Sequence, residues 1–142
     1  ELTAEERAQL YADAITAARG DEENEAYPVL KTGDEITDMY YQVLGITAED
    51  AEAMAMSVSL INVKAYGIAV VKPAEGREEA VTTGLQSFID NQMQSFQNYL
   101  ADQYEVAQNA RLETLDDGTV LLVMCDGQDT VFDAIVSAIE AE

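Results

Sequence analysis

The stretch MAMSVSLINVKAYGIAVV, residues 54–71, decides the fold of this chain. In its first half, apolar side chains alternate with Ala and Ser, which predicts a half-buried strand over residues 54–60. The second half alternates in the same way from Tyr66 to Val71 and predicts a second strand. The linker at residues 62–65 is short enough to make the two strands an antiparallel hairpin, which Pro73 ends.

A second hairpin is predicted near the C-terminus, with a long helix between the two. Residues 111–115 and 119–125 have strand character and flank the turn sequence Asp116-Asp117-Gly118. Apolar residues at helical spacing predict one helix over residues 77–100 and a last helix starting near Asp129. A capping-box pattern at residues 102–105 predicts a short helix between the long helix and the second hairpin.

The N-terminal third is predicted to be helical. Thr3 and Glu6 form a capping box, and the helix that they begin ends at Gly20 in the left-handed conformation. Residues 21–25 are expected to be an acidic connector, and a second helix is expected over residues 34–44, before Gly45. A further helical turn is predicted at residues 47–50.

Together these elements predict an α+β fold with the order ααββαββα. We expect a four-stranded, mainly antiparallel sheet built from the two hairpins, with helices packed on one face and one long central helix. With 142 residues, of which 48% are hydrophobic, one domain over residues 1–142 is the natural expectation. Within it, residues 1–46 form an N-terminal helical segment and residues 53–142 a ββα-ββα core.

Charge excludes several classes of function. The chain has 28 Asp and Glu, 7 Lys and Arg and no His, so its net charge is −21. Nucleic-acid binding needs cationic groups that displace counterions, and binding to anionic membrane surfaces is disfavoured for the same reason. Without His there is no imidazole for base catalysis or metal binding. No stretch approaches the ~20 apolar residues of a transmembrane helix.

Four carboxylates are weak candidates for a cation site: Asp116, Asp117, Asp126 and Asp129. Hard cations prefer carboxylate oxygens, but the spacing does not fit an EF-hand. The favoured interpretation is a hairpin turn at Asp116 and Asp117, and Asp129 as the N-cap of the last helix. We assign no catalytic, cofactor-binding or definite metal-binding residue, and no cofactor.

Aromatic residues and the single cysteine raise two further questions. Cys125 follows an apolar run, so we expect a small buried hydrophobic residue rather than a reactive thiol. An aromatic stripe on the long helix and after it belongs either to the core or to a ligand site, with the core favoured; it comprises Phe88, Phe96, Tyr99 and Tyr104. Tyr40 and Tyr41 are adjacent on a predicted helix, so one of them is expected to be partly exposed and able to anchor a partner.

Several segments together resemble a known family. They are YQVLGI at residues 41–46, the hairpin with NVKA at residues 62–65, QMQSFQNYL at residues 92–100 with QYE at 103–105, and TVLLVM at residues 119–124. The chain resembles the DUF4358 family, found mostly in Gram-positive bacteria, over about residues 4–139. Members often look like exported lipoproteins, which implies an extracytoplasmic location and a lipid anchor on a cysteine upstream of Glu1. The family has no assigned catalytic residues.

We therefore expect a non-enzymatic, extracytoplasmic interaction or envelope-accessory module. Its partner would be a protein or a component of the cell envelope and not a nucleic acid. The alternative is a solute- or cation-binding module that uses the acidic loops. An exposed edge strand in an open sheet would allow pairing with another chain.

Overall fold

The computed structural model describes residues 3–27, 29–31, 46, 48–58, 66–97, 101–115, 118–125 and 128–140. The helices are α1 (Ala4–Ala17), α2 (Asp21–Ala26), α3 (Glu78–Phe96), α4 (Ala101–Gln108) and α5 (Gln128–Glu140). The strands are β1 (Leu30–Lys31), β2 (Ala51–Val58), β3 (Gly67–Pro73), β4 (Arg111–Thr114) and β5 (Val120–Met124). The helical turn expected at residues 47–50 is confirmed as a 3₁₀ turn, Ala48–Asp50. The helix expected over residues 34–44, with Tyr40 and Tyr41, lies outside the described residues.

The sheet is antiparallel throughout and has five strands in the order β1-β2-β3-β5-β4. Both predicted hairpins are confirmed, and they join through β3 and β5, where Val70 pairs with Leu121. The prediction of four strands was wrong, because it did not include the edge strand β1. Its two residues, Leu30 and Lys31, pair with Met56 and Ala55. A two-residue strand shows no alternation, so the sequence carries no period-two signal for it.

Helices cover both faces of the sheet, so the expectation of helices on one face was wrong. On one face α1 and α5 pack against Ala53, Ala55, Ile68 and other residues of the central strands. On the opposite face α3 and α4 pack against the alternate residues of the same strands, among them Met54 and Met56. The small side chains of β2 were interpreted as a solvent face. Ala53, Ala55 and Ser57 are fully buried, because small side chains leave room for a helix to lie close to the strand.

The capping box of α1 is confirmed, but the helix does not end as predicted. The Thr3 side chain accepts from the Glu6 amide, and the Glu6 carboxylate accepts from the Thr3 amide at 3.0 Å. The helix ends at Ala17, with Ala18 as its C-cap, and Gly20 does not have a positive φ. Gly20 instead accepts through its carbonyl from the Asn24 amide at the start of α2. Residues 21–25 therefore belong to a helix rather than to a connector.

Three boundaries differ from the prediction by one to several residues. The long helix ends at Phe96, and α4 starts at Ala101, so residues 77–100 are not one helix. Asp102 and Asp129 lie in the first turns of α4 and α5 rather than at their N-caps. Carboxylates in a first turn still interact favourably with the helix dipole. An Asp near the start of each helix was therefore expected correctly, although it does not occupy the N-cap position. The division into residues 1–46 and 53–142 within one domain stays a prediction.

Candidate functional site

The acidic candidates do not form a site in the described part of the chain. Asp129 is exposed, and its carboxylate lies 3.2 Å from the Arg111 guanidinium. Asp116, Asp117 and Asp126 lie outside the described residues. Among the residues that are described, no three His, Cys, Asp or Glu side chains are arranged to hold a metal ion. The cation-binding alternative thus gains no support from Asp129, whose charge is already engaged.

Arg111 ties the edge strand β4 to α5. Its guanidinium lies 2.7 Å from the Glu113 carboxylate and 3.9 Å from Asp133, and it stacks over the Phe132 ring at 3.9 Å. The hydrogen bonds that Arg111 donates to the Glu113 carboxylate raise the pKa of Arg111 above its usual value. The carboxylate partners are between half and four-fifths exposed, so water and salt screen these pairs. These contacts join β4 to α5 at the surface of the protein.

Arg19 has a different environment, in which every bonded partner is neutral. Its guanidinium donates to Asn24 Oδ1 at 2.8 Å, to Ser57 Oγ at 2.8 Å and to Tyr66 Oη at 2.9 Å. It also donates to the Tyr27 carbonyl at 2.9 Å, and Ser57 donates to the same carbonyl at 2.7 Å. We call these five residues the Arg19 clasp. It joins the end of α1, α2 and the segment after it to β2 and to the residue before β3.

The Arg19 clasp is reinforced by an aromatic stack. The rings of Tyr27 and Tyr66 are nearly parallel, with centroids 4.2 Å apart. Four of the five guanidinium donors are committed to neutral acceptors, which leaves little capacity for a ligand. No motif in the sequence predicts this cluster. Its only local signal is a cation just after the last turn of a helix, where the dipole favours positive charge.

The aromatic stripe is divided between the core and the surface. Phe88 and Phe96 are buried against the sheet, as expected for core residues. Tyr104 is only partly buried and lines a surface cleft, whereas Tyr99 lies outside the described residues. Cys125 is buried, which confirms the prediction of a small hydrophobic residue.

The cleft lies between the C-terminal half of α3 and the first turn of α4. It is open to solvent and has a volume of about 270 Å³. Among the described residues, six side chains line it: Asp90, Asn91, Met93, Gln94, Gln97 and Tyr104. In the described structure, no hydrogen bond is made by the three amide side chains or by the Tyr104 hydroxyl. We call this site the α3–α4 cleft.

On the α3 side of the α3–α4 cleft the surface carries little charge, whereas the exposed Asp102 and Glu105 flank Tyr104 on the α4 side. Residues 82–97 include one ionisable side chain, Asp90, although a quarter of the whole chain is charged. The remaining exposed side chains of this part of α3 are hydroxyls and amides: Thr82, Thr83, Gln86, Ser87, Asn91, Gln94, Ser95 and Gln97. We call this surface the low-charge face. The Gln and Asn residues of this helix are evident in the sequence, but they do not by themselves indicate a site, because the cleft forms only where α3 ends and α4 begins.

Three comparisons with known proteins bear on these observations. The family profile described as a domain of unknown function, DUF4358, matches residues 23–125 and confirms the suspected family. No curated protein and no solved structure gave a match. The match covers the sheet, α3, α4 and most of the Arg19 clasp, but it does not include Arg19 itself. As for membranes, none of the helices described is long and apolar enough to cross a bilayer.

Proposed function

The chain belongs to the DUF4358 family, and from that premise we propose that it is a non-enzymatic binding domain on the outside of the bacterial cell. The observation that carries the proposal is the low-charge face of α3, with the α3–α4 cleft at its C-terminal end. A surface that differs in chemistry from the rest of the molecule is a candidate for contact with a partner.

The net charge of −21 explains why such a face would matter. Envelope polymers of bacteria are commonly anionic, and a strongly acidic protein is repelled by them over most of its surface. On the low-charge face the repulsion is weakest, since only Asp90 is ionisable there. The amides of Asn91, Gln94 and Gln97 offer donors and acceptors for short-range bonds. The protein would therefore approach its partner with this face.

The lining of the α3–α4 cleft favours binding over catalysis. General acid–base catalysis uses titratable groups positioned around a reacting atom. The cleft offers one carboxylate and one phenol, and the carboxylate of Asp90 is exposed and accepts a bond from Gln86 at 3.1 Å. Three of the other four described lining residues have neutral amide side chains. Such a lining can orient a ligand, but it has no pair of groups to exchange protons with it.

The extracytoplasmic location rests on the family resemblance. Members of the family often look like exported lipoproteins, and a surface-anchored domain would meet envelope material directly. A surface with many carboxylates and few basic side chains also suits a protein that must stay soluble beside anionic polymers.

A sedimentation assay tests the proposed function. Purified protein is mixed with insoluble cell walls of a Gram-positive bacterium and centrifuged, and the bound fraction is measured for the natural chain and for two variants. Gln94→Glu places a charge in the α3–α4 cleft. Gln9→Glu makes the same change at an exposed position of α1, on the opposite face of the sheet.

Both variants have the same net charge, so only the position of the new carboxylate differs. We expect the natural chain and Gln9→Glu to sediment with the walls and Gln94→Glu to remain largely in solution. Absence of sedimentation for the natural chain, or equal loss in both variants, would contradict the proposal.

A further inference from the structure

We infer that the α3–α4 cleft binds an uncharged saccharide. The inference rests on the proposed function and names the class of ligand for the same site. It follows from the size of the cleft, the charge of its described lining residues and the arrangement of their polar and apolar groups.

The size of the cleft suits a small ligand. Sites for drug-sized molecules typically have volumes of ~300–1,000 Å³. At about 270 Å³ and open on one side, the α3–α4 cleft can hold a single sugar unit or one unit of a longer chain.

The charge of the lining excludes ionic ligands. A hard cation requires several oxygen ligands, and Asp90 is the one carboxylate in the lining. An anion would find no cation among these six side chains, and the net charge of −21 would repel it. An apolar ligand would cover the amides of Asn91, Gln94 and Gln97 without giving them bonds, which is costly. An uncharged, hydroxyl-rich ligand remains.

The polar and apolar parts of the cleft match the two surfaces of a sugar ring. Amide side chains both donate and accept, as sugar hydroxyls do. Tyr104 and Met93 are partly buried and supply an apolar surface for the C–H face of the ring. A peptide is less well matched, because peptide recognition typically uses a sheet edge, an apolar groove or a row of aromatic rings. The described lining of the cleft has one aromatic ring and no strand residue.

The test is a titration of ¹⁵N-labelled protein followed by NMR, with chitotetraose and cellotetraose as probes. The peptide control is tetra-alanine that is acetylated at its N-terminus and amidated at its C-terminus, so that it carries no charge. Side-chain NH₂ signals report on the amides directly, and the Tyr104 ring protons report on stacking. At about 10 mM saccharide, a site with a Kd near 1 mM is almost saturated. We expect shifts for Asn91, Gln94, Gln97 and Tyr104 with at least one of the saccharides and not with tetra-alanine.

A matched pair of variants assigns the binding to the cleft. Gln94→Ala removes one amide from the lining, and Gln108→Ala removes an exposed amide of α4 that does not line it. We expect about five-fold weaker saccharide binding for Gln94→Ala, as for the loss of one ordinary hydrogen bond, and no change for Gln108→Ala.

Three outcomes overturn the inference: no shifts with either saccharide, shifts with tetra-alanine of equal or greater size, or equal weakening in both variants. They are distinguishable from failure of the proposed function. If Gln94→Glu still loses wall binding while the saccharides cause no shift, the binding face stands and its ligand is not a saccharide.

Discussion

Replacing Arg19 with Met should destabilise the fold far more than the same replacement at Arg111. In the Arg19 clasp, the substitution removes four hydrogen bonds. Two of the acceptors, Ser57 Oγ and Tyr66 Oη, belong to residues that are at most 2% exposed. Each hydrogen bond contributes a net ~0.5–1.5 kcal/mol, so we expect Arg19→Met to lower the free energy of unfolding by about 2–4 kcal/mol.

Arg111→Met is the matched control. It also removes one positive charge, so the two variants have the same net charge. Long-range electrostatic repulsion therefore changes by the same amount in both. The partners of Arg111 are carboxylates in contact with water, and Met can still pack on the Phe132 ring. We therefore expect little change in stability for this variant.

Urea unfolding followed by circular dichroism measures the difference. With a slope of ~1–3 kcal/mol/M for a chain of this size, Arg19→Met should lower the unfolding midpoint by roughly 1–2 M. The loss should persist in high salt, because the acceptors are neutral. Arg19→Lys keeps the charge but not the planar set of donors, and it should also be destabilised. Equal effects of Met at the two positions, or full stability of Arg19→Lys, would refute the reasoning.

Three further predictions concern a turn, a helix cap and the binding face. Gly118 has a φ of 93°, and a Cβ there would lie 3.2 Å from Lys72 Nζ. Gly118→Ala should lower the free energy of unfolding by about 1–3 kcal/mol, and Gly20→Ala, which meets no atom within 4 Å, should change it much less. Equal thermal shifts for the two glycine variants would show that the turn is not strained. Hydrogen bonds from Thr3 hold the pKa of Glu6 below its usual value. The ionised cap therefore stabilises α1 above the usual carboxyl pKa, and this contribution is lost as the pH falls through the lowered value. The melting-temperature difference between the natural chain and Glu6→Ala should therefore shrink as the pH is lowered below the usual carboxyl pKa; a difference that stays constant or grows on acidification would contradict this assignment. Binding to cell walls should be unchanged or stronger when NaCl is raised from about 0.05 to 0.5 M, since salt screens repulsion. A steep loss of binding in the sedimentation assay would indicate attraction between opposite charges instead.

The local elements of the fold could be predicted because their signals are local. The alternation in residues 54–71 predicts β2 and β3, and the turn at Gly118 predicts the second hairpin. The capping box at Thr3 and Glu6 depends on atoms three residues apart, so spacing alone specified it.

The packing of the elements could not be predicted in the same way. Ala53, Ala55 and Ser57 are small enough to suit either a solvent face or a tightly covered one, and composition does not distinguish the two. The Arg19 clasp joins residues up to 47 positions apart, so no sequence window contains it. The α3–α4 cleft depends on the helix ending near residue 96, whereas the periodicity continues to Leu100. The cleft residues were therefore visible only as a run of uncharged polar side chains.

The central claim is that the protein contacts its partner through the low-charge face of α3 and the α3–α4 cleft. Amide hydrogen–deuterium exchange, measured with and without bound cell walls, tests it most directly because the sheet separates that face from α1 and α5. We predict slower exchange in the C-terminal half of α3 and in α4, with α1 and α5 unchanged. Protection of α1 and α5 instead, or protection spread evenly over both faces of the sheet, would contradict the claim.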